Sequence, residues 1–114
     1  MASNSVKTYK ITCASSNTAY NVLTGTTSAP TAVPVVADKG RAITFQCQTN
    51  GAIGYAGGSD VANGTTNTGI LFQGPDGAYT PPVSPTSSGY QAQDWWVSSD
   101  TGGAVIVVQL VKHV

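Results

Sequence analysis

Residues 41–48 read RAITFQCQ. Ile43, Phe45 and Cys47 alternate with Thr44, Gln46 and Gln48, and successive side chains of a strand point to opposite faces. One face is therefore apolar and the other polar, as in a strand that backs onto a core and fronts water. Working outward, residues 6–13 (VKTYKITC) repeat the pattern, with Tyr9, Ile11 and Cys13 on one face and Lys7 joining them near the end. Residues 18–24 (TAYNVLT) follow a turn at Ser15, Ser16 and Asn17, which predicts a hairpin between these first two strands. Asn50 and Gly51 form a strong turn signal, and residues 52–57 (AIGYAG) return from it. Further strands are expected at 68–73 (TGILFQ), 94–99 (DWWVSS) and 103–114 (GAVIVVQLVKHV), the last two flanking a turn at 100–103. Residues 105–108 are apolar on both faces, which predicts a central strand or one between two layers.

Composition agrees with this reading. Val and Ile together number 18 against three Leu, and β-branched side chains suit a pleated surface. Ser, Thr, Asn and Gly in quantity offer the backbone alternatives to a helix. No window of a dozen residues carries a helical stripe. About seven or eight short antiparallel strands with turns at this spacing predict an all-β fold, a β-sandwich or jelly-roll-like small barrel. The 114 residues read as one β domain able to bury roughly two-thirds of the surface of its unfolded chain. Residues 1–6 read as a flexible N-terminal arm, polar and ordered on docking. Residues 25–40 contain Pro30 and Pro34 and read as a connector or edge strand. Residues 74–91 carry four prolines and no strand pattern, a long Pro/Gly-rich loop of the kind that is usually functional or mobile.

The chemistry-bearing residues are few. Glutamate is absent and the single histidine is His113, whereas enzymes near neutral pH lean on His, Glu, Asp, Cys or Lys in perturbed environments. Asp94 and Asp100 form no recognisable catalytic pair, and Asp100 suits a turn. The reading is a non-enzymatic, shape-forming protein. Two Cys and one remote His are too few for a recognisable zinc site, and no cofactor is implied. Residues 60–65 (DVANGT) lack the spacing of a calcium loop and read as a turn stabilised by an Asn or Asp side chain. The NGT sequon at Asn63 lacks a secretory context. The run 54–58 (GYAGG) lacks phosphate-loop spacing, and its glycines suit a bulge or corner.

A formal net charge of zero, with 9% charged residues, argues against nucleic acid as a partner. No apolar run approaches the roughly 20 residues of a membrane span, so no membrane is expected. No apolar segment follows a basic one near the N-terminus, so synthesis in a reducing cytoplasm is expected. Cys13 and Cys47 then read as reduced core thiols on inner faces, neighbours in space, with a disulfide as the minority reading. Trp95 and Trp96 should point to opposite faces of a strand, one filling the core and one outward. The alternative is that both are buried, one of them under the 74–91 loop. An outward Trp beside Tyr79 and Tyr90 would be an interface hot spot or a sugar-stacking platform.

The segments ITFQ (43–46), GYAGGSDV (54–61), GILFQGPDG (69–77) and WWVSSDTGGAVIVV (95–108) resemble, in this order, small capsid decoration (cement) proteins of tailed bacteriophages. The resemblance covers roughly residues 41–111. The Trp pair and the Pro-rich stretch 80–85 depart from the pattern, and the last segment is expected to be a C-terminal hairpin. The resemblance implies a virion structural protein on the outer surface of the mature head, often trimeric, bridging neighbouring major capsid protein subunits. The contact residues expected under it are Lys7 with the arm over residues 2–7, Tyr79, Pro81, Pro82 and Tyr90 of the long loop, and Trp95 or Trp96. The alternatives are a phage tail, baseplate or head-fibre module with possible glycan binding, and a cellular β-sandwich binding module.

Overall fold

The computed structural model describes residues 4–30, 39–75, 77–81 and 90–113. Ten strands occur among them: β1 Asn4–Cys13, β2 Tyr20–Asn21, β3 Lys39–Gly40, β4 Ala42–Cys47, β5 Ile53–Gly57, β6 Ile70–Gln73, β7 Ala78–Tyr79, β8 Tyr90–Gln91, β9 Trp96–Ser99 and β10 Ala104–His113. They form two four-stranded antiparallel sheets, ordered β1-β10-β4-β7 and β2-β9-β5-β6, with β3 and β8 as a separate ribbon. This is the expected all-β architecture, a small β-sandwich.

The alternation in residues 41–48 sets the core. Ile43, Phe45 and Cys47 are fully buried, and they face Ile11, Cys13, Ala104, Ile106, Val108 and Leu110 of the same sheet and Tyr20, Ala56, Phe72 and Val97 of the other. Each large aliphatic or aromatic side chain buried this way stabilises the fold by about 1.5–3 kcal/mol. A one-residue slip of β4 would turn Thr44 and Gln46 inward, so register is strongly specified. The apolar β10 is central, as expected, with β1 and β4 on its two sides. Cys13 and Cys47 are both buried as free thiols.

Connectivity departs from the expected hairpins. The turns at 15–17, 50–51 and 100–103 do not join hydrogen-bonded neighbours; each carries the chain from one sheet to the other. The cause is competition for β10. Its ladder with β1 runs over ten residue pairs and that with β4 over six, more than the four residues of β9 could offer. Among the described residues the one sequential hairpin is β5–β6. Residues 4–6, expected in a flexible arm, are strand and pair with residues 111–113. The expected loop 74–91 contains β7 and β8, while Asp76 and residues 82–89, including Pro82, lie outside the described residues. The expected strand over 18–24 is reduced to Tyr20 and Asn21. The Asn21 Oδ1 accepts hydrogen bonds from the Leu23 and Thr24 amides, and this bends the chain into a turn.

The β5–β6 connection folds back over the outer face of its sheet. Asn63 Oδ1 accepts from the Thr65 amide at 3.0 Å, the Thr65 hydroxyl at 2.9 Å and the Thr66 amide at 2.8 Å, the expected side-chain-stabilised turn. Asn67 then accepts from Ser98 Oγ and donates to Asn17 Oδ1, both at 2.7 Å. Ser98 is thereby buried with its hydroxyl satisfied.

Candidate functional site

A row of side chains runs across one sheet at Tyr9, Val108, Phe45 and Tyr79, set by the strand registers. Phe45 is its hub. The Tyr79 ring stacks on it with centroids 6.0 Å apart, Trp95 tilts against it at 5.0 Å, and Phe72 approaches from the other sheet at 6.2 Å. Tyr90 meets Trp95 edge-on at 6.0 Å. Offset and edge-on pairs of this kind add about 0.5–1.5 kcal/mol each beyond burial. Tyr79, Tyr90 and Trp95, singled out from sequence, therefore gather around Phe45, Tyr79 and Trp95 directly and Tyr90 through Trp95.

The two tryptophans diverge. Val97 points into the core, so Trp96 lies on the outer face of its sheet, between Asn21 and Gly57 in the ladder. Trp95 sits just before the strand, at the end of a 3-10 turn over Ala92–Asp94, and its amide donates to the Ala92 carbonyl. Neither ring is fully buried. The corner that holds Trp95 is pinned from β2: Asn21 Nδ2 donates to the Gln93 carbonyl at 2.9 Å, and the Val22 amide donates to the Trp95 carbonyl at 3.0 Å. Pro81 is buried. Lys7 stands apart, three strands from the β7 edge, with its ammonium 5.3 Å from the Tyr9 ring centroid.

Beside Trp95 is a groove of about 310 Å³ lined by Gly57, Gly58, Asp94 and Trp95. Asp94 is exposed, and its carboxylate accepts no hydrogen bond from any described residue. Asp100, at the far end of β9, is a turn residue: it accepts from the Ile53 amide at 3.0 Å and the Thr101 hydroxyl at 2.9 Å. The two carboxylates do not converge. No group of three or more His, Cys, Asp or Glu gathers among the described residues, and no helix among them is long and apolar enough to cross a membrane.

The sheet edges differ in character. β1 carries Lys7 and Lys10, and lysine on an edge discourages pairing with another chain. β2 and β7 are two residues long. β6 reads ILFQ, with no charge and no proline, and its Ile70 and Leu71 are 53% and 56% exposed. Alternation from the buried Phe72 marks Leu71 as outward. Ile70 shares the Phe72 face and is exposed because it stands at the rim of the sandwich. Ile70 pairs with Ala56, next to Gly57, so it lies at the same end of the sheet as the groove. The β6 edge is not among the sites expected from sequence, and of the residues that line the groove only Trp95 is an expected contact.

Fold and site together define a small antiparallel β-sandwich with an uncharged exposed edge and an aromatic-walled groove. No family model, no curated protein and no solved structure matches this chain.

Proposed function

We propose that this chain is a non-catalytic assembly module of a bacteriophage virion, a decoration protein that binds the outer surface of the head and bridges neighbouring major capsid protein subunits, as a trimer. The sequence resemblance over residues 41–111 supplies the shell as partner. The observation that carries the docking role is the β6 edge, where Ile70 and Leu71 stand exposed on opposite faces of an uncharged strand. An isolated β protein ordinarily blunts such an edge, as β1 is blunted here. A partner strand added at β6 would cover both side chains and pair the free backbone groups. Each such contact is small, but a bridging protein engages several subunits, and the later contacts are effectively intramolecular.

The test is copy number in purified particles, by quantitative mass spectrometry against the shell protein, with co-sedimentation of added protein on stripped shells. A number comparable with the shell protein, and loss of co-sedimentation in Leu71→Lys, is the expected result. A handful of copies moves the protein to the tail or a vertex, and absence from particles overturns the virion reading.

A further inference from the structure

The groove beside Trp95 combines two features that select one chemistry. One side is lined by the partly exposed Trp95, whose indole is held in place by Phe45 and Tyr90, and beside it lies Asp94, exposed, with a carboxylate that accepts no hydrogen bond from a described residue. Gly57 and Gly58 line the rest of it with backbone only. Among the described residues that line it there is a carboxylate and no cation. A positive group gains twice, from the π-face of the ring and from the carboxylate. Of the protein cations, the planar guanidinium fits both at once, because it stacks on an aromatic face and offers a fork of N–H donors to a carboxylate.

We infer that this groove is a receptor for an arginine side chain presented by a protein partner. The volume, about 310 Å³, lies at the low end of small-ligand sites and suits one inserted side chain. Exposed Ile70 at the same end of the sheet would meet the apolar surroundings of that arginine. The inference rests on the assembly reading only in that the partner is a protein; the groove itself is tested without any particle.

Nα-acetyl-argininamide is titrated into the full chain, with the two indole N–H signals followed by NMR and with methyl glucoside and Nα-acetyl-lysinamide as comparison probes. The expected result is a saturable shift of the Trp95 signal in the millimolar range, with Trp96 unmoved and lysinamide weaker. Asp94→Asn, an exposed change that leaves the fold intact by circular dichroism, should weaken arginine binding by about tenfold. No saturable shift, equal affinity in Asp94→Asn, an equal response to lysinamide, or a stronger response to the glucoside would each overturn it, the last in favour of a sugar. Arginine binding in a protein absent from particles would leave the groove standing and remove only the virion reading.

Discussion

Gly54 and Phe72 face each other across the β5–β6 ladder, and the Phe72 ring lies over the space a side chain at 54 would occupy. A methyl group placed there would come within 2.7 Å of Phe72 Cζ and closer still to Cε2. The ring has little room to retreat, being 2% exposed and packed against Phe45. Overpacking of a core costs about 1–3 kcal/mol. Against this, Gly→Ala at a position without left-handed backbone stabilises by about 0.4–1 kcal/mol through the unfolded chain, and Gly54 is such a position. Gly54→Ala should therefore lose about 0.5–2 kcal/mol net. In a Phe72→Leu background the Cε2 and Cζ atoms are gone, and the same substitution should become neutral or stabilising. Urea unfolding reports this through tryptophan fluorescence, since Trp95 lies 5.0 Å from Phe45. The coupling should reach at least about 1 kcal/mol. Equal cost of Gly54→Ala in both backgrounds, within about 0.5 kcal/mol, would refute the packing argument.

Other outcomes follow from the same geometry. Burial, and secondarily charge on Cys47, push the Cys13 thiol up from 9.0 to about 12. The folded value lies above the unfolded one, so this contribution is fully present below pH 9 and is lost as pH rises through 12. The loss is on the order of 4 kcal/mol, and the difference between wild type and Cys13→Ala in urea midpoints over that window should shrink accordingly. Asn21→Ala removes the acceptor of the Leu23 and Thr24 amides and the donor to Gln93; it should cost about 1–3 kcal/mol and sharpen loss of the Trp95 indole signal at low denaturant. Leu71→Lys should change urea stability by no more than about 0.5 kcal/mol while abolishing co-sedimentation with shells.

The parts of the fold legible in the sequence are those that a period of two can carry. Ile43, Phe45 and Cys47 announce their inward face, the doubly apolar residues 105–108 announce a central strand, and Asn63 followed by Gly64 announces its turn. Partnership between strands is another matter. Asn17 and Gly51 adopt positive φ and reverse the chain, but reversing residues look alike whether the chain returns to its neighbour or crosses to the opposite layer. What decides is the length of the ladder available elsewhere, and the partner in question, β10, lies far along the chain. The site was half legible for a similar reason. Trp95, Tyr79 and Tyr90 stood out by type, but nothing local brings Gly57 and Gly58 beside Asp94. The register of β5 against β9 does that, by pairing Gly57 with Trp96.

The position of β10 between β1 and β4 also governs how the chain is made. Synthesis proceeds from the N-terminus, so β1 and β4 emerge from the ribosome well before the strand that joins them. Until residues 104–110 arrive, β1 has no partner strand in its sheet and β4 has only the two-residue β7, so the edges they later present to β10 stand open. The nascent chain must therefore be kept from pairing with other nascent chains, and closure comes late, in one long-range step of the kind that makes all-β proteins slow to fold. A chain cut short before residue 104 leaves those edges unpaired and prone to aggregate, whereas a chain that includes β10 can close the sheet.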